Sequence, residues 1–204
     1  MTVRMDGETV RATSEMLARA FHDDPPVVWM FPNEEKRRKA SLSDFRMVIK
    51  YGLRYGEVYS TDGSNEGAAV WLPAEAPLTS TLRAMRVAFW DMASTPFRVG
   101  FGFLPRFLAA MSTMENLHKK DAPKRHRYLM VLGVEPERQG QGVGGALLQP
   151  GLEKADRERV PCYLETAKEI NVTFYEKNGF EVVQKVDLPR GGPPVWTMLR
   201  EPIG

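Results

Sequence analysis

The chain has one cysteine, Cys162, and three scattered histidines, His22, His118 and His126, among its 204 residues. A lone thiol closes no internal disulfide, and these residues lack the spacing of a zinc site, so no structural metal is expected. Long apolar runs are missing as well: nothing reaches the roughly 18 unbroken residues of a membrane span. Met1 to Gly7 carries charges where a secretory leader needs an apolar stretch, so a soluble, cytoplasmic protein is predicted. Nor is there an excess of charge. Twenty-eight Lys and Arg against 26 Asp and Glu leave +2, which builds no field toward nucleic acid or an anionic membrane, and neither partner is expected. What is present is 43% apolar and 26% charged, the make-up of a compact domain with a sizeable core. No repeat, low-complexity tract or linker divides it, so residues 1–204 are read as one domain. The oligomeric state is open, a homodimer included.

Hydrophobic periodicity orders the elements. Val10, Met16, Leu17, Ala20 and Phe21 recur at helical spacing until Asp23-Asp24-Pro25-Pro26 stops them. Leu42, Phe45, Ile49 and Leu53 form the stripe of a second helix over Glu34–Tyr55, with Lys36, Arg37, Arg38 and Lys39 expected on its solvated face. Glu57–Thr61 and Gly67–Leu72, joined by Asp62-Gly63-Ser64-Asn65, read as a β-hairpin. From about Pro73 to Arg125 lies an aromatic-rich insert of two or three helices, carrying Leu82, Met85, Val87, Ala88, Trp90, Phe101, Phe103 and Phe107. Tyr128–Val134 is a buried strand. It leads through a glycine-rich turn to a helix striped by Ala146, Leu147, Leu148, Leu152 and Ala155. Pro161–Thr166, Val172–Lys177, Phe180–Val186 and Val195–Leu199 follow as strand, short helix and two strands, a βαβαββ half. The fold class is a mixed α/β sheet flanked by helices. Pro150 should bend its helix locally, because its ring removes one hydrogen bond.

The turn Val134-Glu135-Pro136-Glu137-Arg138-Gln139-Gly140-Gln141-Gly142-Val143-Gly144-Gly145 joins that strand to the helix. A helix start leaves backbone N–H groups unpaired, and glycines there let an anion reach them along the positive end of the helix dipole. Several charge-assisted bonds of roughly 1.5–3 kcal/mol each suffice to hold a diphosphate without a lysine. A P-loop would need Gly-Lys-Ser/Thr, and Gly144-Gly145-Ala146 has neither the lysine nor the hydroxyl. Gly140-x-Gly142-x-x-Gly145 matches the dinucleotide fingerprint literally, with Glu165 about twenty residues on. Against that reading, Glu135 to Gln139 separate strand and glycine, and too little chain remains for a second mononucleotide half. The third pattern is QxxGxG, at Gln139, Gly142 and Gly144.

This last pattern resembles the coenzyme A pyrophosphate motif of the GNAT acetyltransferases. "YLMVLGVEPERQGQGVGGALLQPGLEKADRERVPCYLET" followed by "NVTFYEKNGFEVV" is similar to that family's second half. Within it, the Leu132-Gly133-Val134-x-Pro136 run, Pro150-Gly151, Leu164-Glu165-Thr166 and the trailing "VDLP…W" resemble the puromycin N-acetyltransferase branch. The likeness is good from about Met114 to Pro202, loose at "AFHDDPPVVWMFP" and "GAAVWLP", and least in the insert.

The resemblance implies a GNAT fold with a splayed central sheet and acetyl-CoA as co-substrate. Backbone N–H groups of Gln139, Gly140, Gln141, Gly142, Val143, Gly144 and Gly145 would hold its diphosphate. Leu132, Gly133 and Val134 would face the pantetheine, with Gly133 as the bulge residue and the oxyanion donor a backbone N–H near Val134; a glycine that merely interrupts a core strand is the alternative. Tyr175 would protonate the departing thiolate, and Asn171 and Phe174 would contact the cofactor. Asn171 could equally be an N-cap, and Tyr175 a packing residue. Gly179 is read as ending the short helix.

Acyl transfer to an amine needs a neutral nucleophile. A lysine-type amine near ~10.4 costs about 4 kcal/mol to neutralise, an α-amine near ~8 well under ~2 kcal/mol. Candidate bases are Glu165, His126 and Glu115, each also readable as an ordinary surface or solvated group. Trp90, Phe101, Phe103 and Phe107 are candidates for an acceptor pocket or for core packing. Cys162 reads as an inert, buried strand thiol. The implied activity is acetyl transfer to a primary amine of a small molecule, such as an aminonucleoside, by direct attack in a ternary complex. A protein N-terminal or lysine acetyltransferase and a non-catalytic acyl-CoA sensor are the alternatives.

Overall fold

The computed structural model describes residues 2–5, 9–61, 65–74 and 95–203. In order these form β1 (Thr2–Arg4), α1 (Val10–Ala20), α2 (Pro25–Met30), α3 (Glu34–Tyr55), β2 (Glu57–Thr61), β3 (Gly67–Pro73), α4 (Leu104–Asp121), β4 (Arg127–Val134), α5 (Val143–Glu158), β5 (Cys162–Thr166), α6 (Glu169–Glu176), β6 (Glu181–Asp187) and β7 (Pro194–Arg200). Helical turns at 95–99 and Phe101–Phe103 lead into α4. The βαβαββ half and the hairpin stand as expected. The hairpin-turn residues 62–64, and the insert positions Leu82, Met85, Val87, Ala88 and Trp90, lie outside the described residues.

The strands make one sheet, β1-β2-β3-β4-β5-β7-β6, in which only the β4–β5 pair is parallel. Helices cover both faces. Leu147, Leu148 and Leu152 of α5 pack with Trp71, Leu129, Cys162, Leu164 and Met198 on one side. Met16 and Leu17 of α1 and Ile49 of α3 pack with Val70 and Leu72 on the other. That is why Gly67–Leu72 is buried without alternation.

Packing, not propensity, holds α5 together. Interior glycine costs about 1 kcal/mol and proline about 3 kcal/mol, whereas each of its three buried leucines contributes roughly 1.5–3 kcal/mol. The helix runs through Pro150 as one element, and the Ala146 carbonyl, which Pro150 cannot bond, accepts from Thr2 Oγ1 at 3.3 Å. On the sheet face beneath the helix, the Trp71 indole lies on Gly151, where a Cβ would have no room.

Two elements escaped the periodicity. β1 extends the hairpin edge. α1 does stop before Pro25 and Pro26, but these also open a helix, α2, since their fixed φ suits the first turn and their missing N–H groups would be unpaired there anyway. Arg37 corrects another expectation. It is buried at 7% exposure, not solvated, and its Nη1 donates to the Phe31 carbonyl at 2.9 Å, tying the end of α2 to α3.

The bulge is also displaced. β4 pairs regularly with β3 from Val134 to Val131, then shifts by one residue between Val70 and Trp71, which leaves Met130 without a partner. Gly133 faces Ala68 in ordinary register, so it is not the bulge residue. Its role is closeness: a Cβ there would stand 2.5 Å from Leu17 Cδ2 and 2.9 Å from Phe21 Cε2. Beyond Leu129, which faces Leu164, β4 and β5 no longer pair. The sheet therefore splays at its centre.

Candidate active site

The splay and the glycine turn make two adjoining cavities. The smaller, about 130 Å³, opens between Leu129–Leu132 of β4 and Glu165 and Thr166 at the end of β5, with Asp24, Asn171 and Tyr175 in its wall. The larger, about 480 Å³, runs from there to the turn. Phe21, Asp24, Leu132, Asn171 and Tyr175 line both.

The turn is built to present N–H groups. Gly140 and Gly142 have φ of +74° and +83°, conformations that a side chain resists, and Gly142 caps α5. The first helical bond comes from Ala146 N–H to the Gly142 carbonyl, so Val143, Gly144 and Gly145 have no intrahelical acceptor for theirs. A Cβ on Gly140, Gly142 or Gly145 would meet nothing within 4 Å, leaving a cradle for a ligand. Gln139 closes the strand end, its Nε2 donating to the Val134 carbonyl at 3.1 Å. Arg19 pairs with Glu135 at 2.6 Å and pins α1 against the turn.

Most of the expected cofactor residues converge. Leu132, Gly133 and Val134 meet Gln139, Gly140, Gly142, Gly144 and Gly145 across the larger cavity from Asn171 and Phe174. Gln141 lies outside it, its side-chain amide donating to the Glu137 carbonyl, and Val143 packs against the α5 core. Asn171 is not an N-cap, because α6 starts at Glu169; its Nδ2 donates to Thr166 Oγ1 at 3.3 Å. Gly179 does end the region of α6, at φ +85°.

Tyr175 is buried at 7% exposure against Phe174 and Phe180 and lines both cavities. Burial, reinforced by the nearby Asp24 charge, pushes its phenol well above the usual range, so it stays protonated. Glu165 lines the smaller cavity from the face opposite α5, in a buried polar cluster. Its Oε1 lies 3.7 Å from His118 Nδ1. His118 Nε2 is 3.1 Å from His126 Nε2, and His126 Nδ1 donates to the Pro123 carbonyl at 2.6 Å. Burial first, then Glu165, raises the Tyr128 and Tyr163 phenols, which therefore remain O–H groups beside the carboxylate.

The other candidates go elsewhere. His126 is buried behind His118, and Glu115 pairs with Lys119 on the outer face of α4. Phe101 is 60% exposed, while Phe103 packs on Phe31 and Phe107, so neither forms the acceptor wall; Phe21 and Met114 stand there instead. Cys162 is fully buried, its thiol pushed up to about 12 by burial, as an inert core group should be. Periodicity did not single out Asp24, Arg138 and Lys168, all of which line the larger cavity. The one sequence signal was a charged residue flanking each turn.

Residues 109–182 match the family described as "Acetyltransferase (GNAT) domain". That stretch carries the likeness to a GNAT acetyltransferase domain. The chain's enzyme class is that of the GNAT N-acetyltransferases, and its seven-stranded sheet is the GNAT fold. An uncharacterized N-acetyltransferase of Schizosaccharomyces pombe is 26% identical, over 98% of this chain and 82% of its own. A Corynebacterium glutamicum structure described as histone acetyltransferase HPA2 and related acetyltransferase shares the fold at TM-score 0.68 and 19% identity, covering 100% and 97% of the two chains. The Drosophila melanogaster polyamine N-acetyltransferase, which forms N-acetylagmatine, superposes at TM-score 0.59 with 16% identity, over 98% and 99%. A GNAT sheet in which only β4 and β5 run parallel also removes the dinucleotide reading, since it holds no second parallel half.

Proposed function

We propose that the whole chain acts as one cytoplasmic domain that transfers acetyl from acetyl-CoA to a primary amine of a small molecule. The observation that carries this reading is a pair of adjoining cavities with five wall residues in common, one reaching the unpaired N–H groups at the start of α5 and the other the splay where Tyr175 and Glu165 stand. The residues present fit coenzyme A. The Cβ-free cradle at Gly140, Gly142 and Gly145, with Arg138 and Lys168 beside it, suits a diphosphate, and the unpaired backbone of β4 suits an extended amide arm. Bound there, the thioester supplies an electrophilic acyl carbon.

The chain's own groups then have distinct tasks. A backbone N–H of β4 beyond Leu129, freed by the splay, hydrogen-bonds the acyl oxygen as charge builds on it. Tyr175, held protonated by its surroundings, gives its proton to the leaving sulfur. Glu165, fixed by its neighbours, accepts a hydrogen bond from the incoming amine and orients it. Two carboxylates in the smaller cavity, Asp24 and Glu165, favour an acceptor that arrives as a cation. The likeness of "LGV-x-P" and "FYEKNGFEVV" to the puromycin N-acetyltransferase branch supports a small amine, aminonucleosides among them.

Free-thiol release from acetyl-CoA, followed over a panel of aminonucleosides, polyamines, arylalkylamines and peptides, tests the proposal. Turnover with a small amine, reduced about 10²–10⁴-fold in Tyr175→Phe, is expected. Turnover with peptides alone, or a Tyr175→Phe enzyme as fast as the parent, would overturn it.

A further inference from the structure

The proposed reaction requires a proton acceptor, and the geometry assigns that part to Asp24, in the α1–α2 loop, with Glu165 left as the residue that orients the amine. This inference rests on the acetyltransferase reading above and adds to it the group that neutralises the acceptor.

Asp24 occupies the N-cap position of α2, where an aspartate ordinarily spends its carboxylate on the N–H groups of the first turn. Here the first two helical residues are Pro25 and Pro26, which have no N–H, and the side chain makes no capping bond. Among the described residues it has no ion pair either. The carboxylate is thereby left for the two cavities, both of which it lines in company with Tyr175, Asn171 and Leu132. The loop cannot carry it away easily. The Asp24 N–H donates to the Phe21 carbonyl, the Val28 N–H donates to the Asp24 carbonyl, and Arg37 holds the far end of α2.

The groups facing Asp24 are Lys168 from the β5–α6 connection, Tyr175 from α6 and Glu165 from β5. Burial raises the Asp24 carboxyl to about 6, and the Lys168 cation draws it down only in part. Its conjugate base therefore predominates at neutral pH yet accepts a proton readily, while the Tyr175 phenol beside it is held high. Neighbouring groups pushed apart in this way divide the work of base and acid. Glu165 stands instead among His118, Tyr128 and Tyr163, which fix its place beside the acceptor.

The step balances without another reactant. The ammonium of the acceptor loses one proton to an Asp24 oxygen, and the freed nitrogen lone pair forms a bond to the acyl carbon of the thioester. The carbon–sulfur bond breaks with its electron pair on sulfur, and that thiolate takes the Tyr175 proton. The second nitrogen proton restores the Tyr175 phenol, and Asp24 releases its own proton to solvent, so that one proton leaves per turnover.

The test compares the parent, Asp24→Asn and Glu165→Gln in three measurements: coenzyme A binding by calorimetry, kcat/KM against pH with the best small amine, and the unfolding midpoint at pH 8 and pH 4. Asp24→Asn should bind coenzyme A as the parent does, lose about 10²–10⁴-fold in kcat/KM at neutral pH, and lose the limb that rises near pH 6. Glu165→Gln should keep that limb. Because the folded carboxyl lies above its unfolded value, ionised Asp24 burdens the fold, so Asp24→Asn should raise the midpoint at pH 8 and leave it unchanged at pH 4. An Asp24→Asn enzyme that binds coenzyme A and retains the pH 6 limb would overturn this assignment alone. A parent that binds no coenzyme A would overturn the acetyltransferase reading and this inference with it.

Discussion

Gly133→Ala is the substitution that separates the two roles open to this glycine. Its φ is not positive, and it pairs in register with Ala68, so alanine meets no backbone penalty and gains slightly in strand preference. The whole effect comes from the new methyl. It would sit 2.5 Å from Leu17 Cδ2, 2.9 Å from Phe21 Cε2 and 3.5 Å from Ala20 Cβ. Leu17 is fully buried and cannot swing aside, so α1 itself must retreat. Overpacking of this kind costs about 1–3 kcal/mol. With a urea m-value of roughly 2–3 kcal/mol/M for a chain of this size, the midpoint should fall by about 0.3–1.5 M. Because Phe21, which caps the end of α1, lines both cavities, coenzyme A affinity measured by calorimetry should weaken in parallel. An unchanged midpoint together with unchanged affinity would refute the close α1–β4 packing described above.

The opposite pattern is expected at Gly145. Its added Cβ would touch nothing in the protein, so Gly145→Ala should stabilise the fold by up to about 1 kcal/mol in urea, while calorimetry shows at least a tenfold loss of coenzyme A affinity as the methyl fills the cradle. The stability of the parent should also pass through a maximum between pH 4 and 6. Asp24, raised by burial, stabilises the fold as it protonates on descent through about 6; Asp156, lowered by the Arg200 hydrogen bond, and Glu158, lowered by Arg127, hold the fold above the ordinary carboxylate range and let go as pH falls through their depressed values. Unfolding free energies collected from pH 7.5 to 3 check this, and a monotonic decline over that range would contradict it.

The second half of the fold was legible because its cues are local. Gly140 and Gly142 need positive φ, Leu147, Leu148 and Leu152 form a stripe, and the strands alternate with helices at short spacing. The same logic misled where one residue type serves two purposes. Pro25 and Pro26 stop α1 and start α2 with the same fixed φ. Arg37 has the charge of a surface residue and a buried partner in the Phe31 carbonyl. The aromatic insert suggested a pocket that Phe101 and Phe103 do not make, since aromatic content says nothing of direction.

The sequence by itself determined the glycine turn, the helix it opens and the tyrosine on α6, since all of these depend on residues within a few positions of one another. Only the tertiary structure decided that the bulge falls at Met130, that Glu165 is enclosed by His118, Tyr128 and Tyr163, and that Asp24 comes across from the far end of the chain to stand beside Tyr175. Register, enclosure and encounter between distant segments arise from how two packed faces share one sheet, and no local pattern of residues encodes where the chain will meet itself.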